Sequence, residues 1–94
     1  MVKVSEFRRI VREGSPPFKI IYETEEGSGE EEIMSAKDVL GKIKELFGGS
    51  LRGAKIEVSE RNSTTEVLIY KTKGPRVRLI FKRHKQLSLV SFFQ

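Results

Sequence analysis

The spacing of apolar positions changes along the chain, and each change marks an element. Near the N-terminus, Phe7, Ile10 and Val11 fall at i, i+3 and i+4, one stripe of a helix. Ser5 suits its N-cap, Glu6 its positive first turn, and Gly14 the left-handed C′ position. Ser15-Pro16-Pro17 then stops the helix and sends the chain out extended. Over 18–23 the period drops to two, with Phe18, Ile20 and Tyr22 on one face and Lys19, Ile21 and Glu23 on the other. Residues 25–32, EEGSGEEE, read as a polar turn that closes a hairpin onto a short strand at 31–34.

Helical spacing returns after Ser35. Ser35 and Asp38 stand at N-cap and N3, the spacing of a capping box with Asp in place of Glu. Val39, Leu40, Ile43, Leu46 and Phe47 make a wide apolar stripe, and Gly48-Gly49 ends it. Lys37, Lys42 and Lys44 lie off the stripe. Alternation resumes over 54–61, 65–72 and 76–83, with turns at Asn62-Ser63-Thr64 and Gly74-Pro75. The segment 86–93, QLSLVSFF, alternates again and predicts a fourth strand of this meander. The expected architecture is α+β: an antiparallel sheet, with a meander of three to four strands in the C-terminal half, packed against one main helix, plus a short N-terminal helix. The whole chain, 1–94, reads as a single domain.

Charge is unevenly spread over this plan. Residues 1–34 carry five basic and eight acidic side chains, whereas residues 35–94 carry thirteen and five, which together give the net +5. An acidic partner fits that asymmetry, nucleic acid before anionic membrane, because no strongly basic amphipathic helix is evident. No stretch approaches the ~20 apolar residues of a membrane span, and the N-terminus has no apolar signal region. A cytoplasmic location is expected. Cysteine is absent and histidine occurs once, which removes disulfides, thiolate chemistry, cysteine-based zinc sites and histidine-rich metal sites within one chain. The acids around Gly27-Ser28-Gly29 lack the alternating spacing of a calcium loop. No metal or cofactor is expected. Abundant Glu, Lys and Arg with no Cys or Trp suit a thermophile.

The basic side chains concentrate in the last hairpin. Between Lys71 and Lys85 stand Lys71, Lys73, Arg76, Arg78, Lys82, Arg83 and Lys85, with no acid among them. Alternation puts Val77, Leu79 and Phe81 on one face and Arg76, Arg78, Ile80 and Lys82 on the other. If Leu68 and Tyr70 share that second face, it mixes a ring, aliphatic carbon and guanidinium groups. Single-stranded nucleic acid binds such surfaces, with bases on π-faces and phosphates on cations. The candidate binding residues are Tyr70, Lys71, Lys73, Arg76, Arg78, Lys82 and Arg83, with Phe92 and Phe93 as further platforms. The plain reading of the same residues is a solvated face, or lysines guarding an edge strand. Arg8, Arg9 and Arg12 on the first helix can likewise touch phosphate or simply face water.

No phosphate-binding glycine loop, KH clamp or RNA-recognition aromatic signature is present. His84, between Arg83 and Lys85, is the one group suited to proton chemistry near neutral pH. The stretch 67–85 resembles the C-terminal strands of the RelE/ParE toxin family, which implies a small ribonuclease; the two consecutive N-terminal helices of that family are missing. Taken whole, the layout resembles the ThermoDBP-related single-stranded DNA-binding proteins of hyperthermophilic archaea. The helix 36–47 and the basic strand pair 66–82 with Tyr70 carry that likeness. It implies sequence-tolerant binding of single-stranded DNA or RNA, no catalysis, and a homo-oligomer. A duplex-binding chromatin-type protein and a protein-binding adaptor are rival readings of the same basic strands.

Overall fold

The computed structural model describes residues 1–83; His84, Lys85, the strand expected over 86–93 and the candidate platforms Phe92 and Phe93 lie outside the described residues. The elements run α1 (Val4–Arg12), β1 (Gly14–Thr24), β2 (Gly27–Ile33), α2 (Ala36–Leu46), β3 (Lys55–Arg61), β4 (Thr64–Tyr70) and β5 (Arg76–Arg83). One five-stranded sheet has the order β2-β1-β5-β4-β3 with every pairing antiparallel. The fold is therefore α+β with two helices, and the expected meander β3-β4-β5 is continued across β5 by β1 and β2.

Burial falls on one face of this sheet. Phe18 and Ile20 of β1, Val77, Leu79 and Phe81 of β5, Val67 and Ile69 of β4, and Ile56 of β3 are buried together. Both helices cover them: α1 through Phe7, Ile10 and Val11, and α2 through Val39 and Ile43, with Phe47 at its C-cap. Complete burial of each such side chain contributes about 1.5–3 kcal/mol. The N-terminal helix thus shares the cover with α2, where one main helix was expected.

The helix ends show which local signals act. Ser35 Oγ accepts the Asp38 amide at 3.1 Å, the expected N-cap. Gly48 and Gly49 take positive φ, and their amides bond Glu45 at 3.0 Å and Lys44 at 2.8 Å, a Schellman ending. Helix α1 departs from expectation at both ends. Lys3 is its N-cap with no side-chain bond, and Ser5 lies inside the helix. Val2 and Phe7 occupy the two positions of a hydrophobic staple, Phe7 in the core and Val2 half-buried against it, and the Val2 amide bonds the Ile56 carbonyl at 3.0 Å. Packing, rather than a cap, sets this start. Gly14 does not turn left-handed either; it opens β1. A Cβ there would run into the Phe81 ring and lie 2.9 Å from the Phe18 ring, so glycine is needed for close approach.

The acidic segment also differs from its reading. Glu25 and Glu26 alone form the turn, and Gly27 onward pairs with β1. Alternation then separates the carboxylates. Glu31 faces the helices, where it binds Lys42 at 3.1 Å and accepts the Tyr22 hydroxyl at 3.3 Å; on the other face Glu30 binds Lys19 at 3.1 Å. Cross-strand pairs give a glycine- and acid-rich stretch a strand conformation that its composition disfavours.

Gly14→Ala is expected to cost about 1–3 kcal/mol by overpacking. A urea titration that shows no loss would remove the close-approach role.

Candidate nucleic-acid interface

Register decides which side chains share the uncovered face. Tyr70 stands opposite Arg76, Leu68 opposite Arg78, and Glu66 opposite Ile80. The expectation that Leu68, Tyr70, Arg78 and Ile80 share a face is met by this register. On the far side of β5, Ile21 faces Arg78 and Glu23 faces Arg76. Ile21, Leu68, Ile80 and Tyr70 are half-buried, although neither α1 nor α2 covers them, and Arg76, Arg78 and Lys82 are exposed. Arg76 lies over the Tyr70 ring, 5.4 Å from its centroid. The strand carrying these cations is central, so their purpose is not to guard an edge.

The same register brings acids among them. Arg78 donates to Glu66 from Nε at 3.0 Å and Nη2 at 2.9 Å. Tyr70 donates its hydroxyl to Glu57 at 3.1 Å. That bond is the largest cause of a phenol pKa held above its ordinary value; slight burial and the Glu57 charge add to it, and Arg76 opposes it. The basic run of β5 is therefore flanked by carboxylates from β4 and β1. Among the described residues, no carboxylate lies within 4.0 Å of Arg76, Lys73 or Lys82.

Two candidates point elsewhere. Lys71 Nζ lies over the Phe47 ring, 5.8 Å from its centroid, at the C-terminal end of α2. Arg83 follows Phe81 onto the helix-facing side, where its guanidinium binds Glu13 at 2.6 Å and also pairs with Glu60. Its side chain is only 14% exposed. Partial burial opposes the charge, but the two carboxylates outweigh it and hold the pKa above the ordinary arginine value. Arg83 ties the end of α1 to β3 and does not belong to the uncovered face. The alternation of β5 already separated Arg83 from Arg78, whereas its acidic partners, 70 and 23 residues away in sequence, had no local signal.

Two open grooves lie on the helix side of the sheet, away from the uncovered face. One, of about 760 Å³, is lined by the β1–β2 turn, the end of α2 and the β4–β5 loop, including Lys42, Lys73, Glu25 and Glu26. The other, of about 540 Å³, lies between α1 and α2 and gathers Arg8, Arg12, Lys37 and Lys44. The sequence shows these four cations but not their convergence. Comparison with protein-family models, curated proteins and solved structures finds no match for this chain.

Two outcomes follow from this geometry. Arg83→Met removes the cation that Glu60 and Glu13 share, leaving Glu13 its pairing with Arg9, and is expected to lower stability by about 1–3 kcal/mol, while Lys82→Ala stays within about 0.5 kcal/mol; equal chemical-denaturation midpoints would contradict the tie. In a Tyr22→Phe background, Tyr70 should titrate above the ordinary phenol range, and Glu57→Gln should lower its midpoint, because removing the negative charge favours tyrosinate. Ultraviolet absorbance reads both, and an unmoved midpoint would remove Glu57 as the cause.

Proposed function

We propose that this domain binds single-stranded nucleic acid on the uncovered sheet face, sequence-tolerantly and without catalysis. The observation that carries this reading is the Tyr70–Arg76 pair, set beside Leu68, Arg78 and Ile80 on a sheet face that neither α1 nor α2 covers. Bases would stack on Tyr70 and on the half-buried aliphatic carbon, at about 1–3 kcal/mol for each aromatic stack. Arg76, Lys73 and Lys82 would take phosphates. Arg78 can exchange Glu66 for a phosphate at little cost, since an exposed pair of this kind is worth about 0–1 kcal/mol. The resemblance to the ThermoDBP-related proteins points the same way. A homo-oligomer and a cytoplasmic setting belong to the same proposal. No helix among the described residues is long and apolar enough to cross a membrane.

A second reading rests on one observation: Glu23, Glu30, Glu32, Glu57 and Glu66 stand on the same face as the cations. A charge-balanced face with central aliphatic residues also suits a protein partner. The two readings separate by fluorescence anisotropy with labelled single-stranded DNA, its RNA counterpart and the duplex, each over a salt series. The single strands should bind more tightly than the duplex. Tyr70→Ala should weaken single-strand binding by roughly fivefold or more with an unchanged salt slope, because stacking releases no counterions. Arg76→Ala should weaken it and reduce the slope by about 0.7. Unchanged affinity for Tyr70→Ala would end the stacking role, and no binding to any probe would favour the protein-binding reading.

A further inference from the structure

The α1–α2 groove lies in the helix layer, which covers the sheet face opposite to Tyr70. Each helix sorts its charges onto two flanks. On α1, Arg9 pairs with Glu6 at 3.8 Å and with Glu13 at 3.1 Å. Arg8 and Arg12, one turn apart, line the groove instead. On α2, Lys42 pairs with Glu31 and Glu45, while Lys37 and Lys44 line the groove. Among the described residues no acid lines it, and none of its four cations has a carboxylate within 4.0 Å. Gathering like charges this way costs self-repulsion that a bound anion would relieve.

A second observation concerns the floor. Leu40 and Leu51 supply apolar surface there, and between Lys37 and Lys44 stands Gly41, inside the helix. Helix interiors disfavour glycine. Packing does not require it, because a Cβ at Gly41 would meet nothing within 4 Å. What its lack of a side chain does is keep the groove open along its floor.

We propose that this groove is a second nucleic-acid contact, one that takes the phosphodiester backbone and not the bases. Its cations repeat along the helices at about 6 Å for Arg8 and Arg12 and about 10.5 Å for Lys37 and Lys44, from a rise of about 1.5 Å per residue. Arginine forks match phosphate oxygens, and lysines add point charge. No aromatic side chain lines the groove among the described residues, so base stacking is not the mode of binding proposed for it. With the sheet face on the other layer, the domain would hold two backbone segments at once.

Binding of three labelled probes by the full chain tests this: oligodeoxythymidylate, an abasic phosphodiester oligomer of equal length, and an oligoglutamate of equal charge. The parent should bind the abasic oligomer. Arg12→Gln/Lys44→Gln should weaken that binding by roughly tenfold and lower the salt slope by about 1.4. Gly41→Glu should weaken it similarly while its Tm stays at or above the parent's, which separates blocking from misfolding. Tyr70→Ala should leave abasic affinity within about twofold, since stacking needs a base. Abasic binding that is absent in the parent, or equal in the parent and both groove variants, overturns the proposal. So does oligoglutamate binding as tight as abasic binding, which would make the groove a docking surface for acidic protein. In each case the response of oligodeoxythymidylate binding to Tyr70→Ala still judges the sheet face by itself.

Discussion

The pairing of β1 with β5 is the contact on which the rest of the structure depends. It joins residues 19–23 to 76–80, the two halves of the chain, and makes the basic strand the centre of the sheet. Among the described strands, β2 pairs only with β1, and β3 only with β4. Both helices need the apolar face that this junction completes, because Ile20 and Leu79 face each other there, as do Tyr22 and Val77. Pro16 and Pro17 offer no amide to the ladder, and the pairing breaks between Ser15 and Lys19. It resumes at Gly14 and Ser15, where Gly14 lies under Phe81 and Arg83 is fixed by Glu13 and Glu60. The weak point of the ladder is thus closed by close packing and an ion-paired arginine.

Much of this fold was legible in the sequence, because its signals are local. The Ser35 cap, the Gly48-Gly49 ending, the stripes Phe7-Ile10-Val11 and Val39-Ile43-Phe47, and the alternation of β3, β4 and β5 all appear where spacing places them. The misreadings share a cause, since in each a distant contact overrode a local preference. Ser5 yielded the N-cap to a start fixed by Val2 and Phe7. Gly14 answers to Phe81 instead of to helix termination. Gly27–Ile33 is a strand because β1 lies beside it, although its residues favour a turn.

The candidate interface was half legible for the same reason. Alternation within β4 and β5 sorted their side chains correctly onto two faces, but the charge of a face belongs to all its strands. A run of seven cations with no acid looks like a cationic surface in sequence. In the sheet, Arg78 stands beside Glu66 and Arg76 across from Glu23, because register interleaves a basic strand with acidic neighbours. Arg83 shows the effect at its strongest, with its charge neutralised inside the protein. The groove between α1 and α2 is the opposite case. In sequence Arg8 and Arg12 are legible as helix-borne cations, but nothing there shows that they meet Lys37 and Lys44; helix packing gathers the four with no acid among the described lining residues.

The two surfaces differ in what they ask of a ligand. On the sheet face, long arginine and lysine stems can lie along Ile21, Leu68 and Ile80, so leaving that face to water costs little. Two of its polar groups already have partners, Arg78 with Glu66 and Tyr70 with Glu57. At those two a ligand gains by exchange, so apolar and stacked contact has to supply much of the net gain there, beside the charge of Arg76 and Lys82. Among the described residues the groove's cations have no carboxylate partners to displace, so phosphate contacts there are gained outright, and salt should weaken them most. A single strand offers both kinds of contact and an abasic backbone only the second. The division between base-dependent and salt-dependent binding therefore follows from how register distributed the acids, before any ligand is considered.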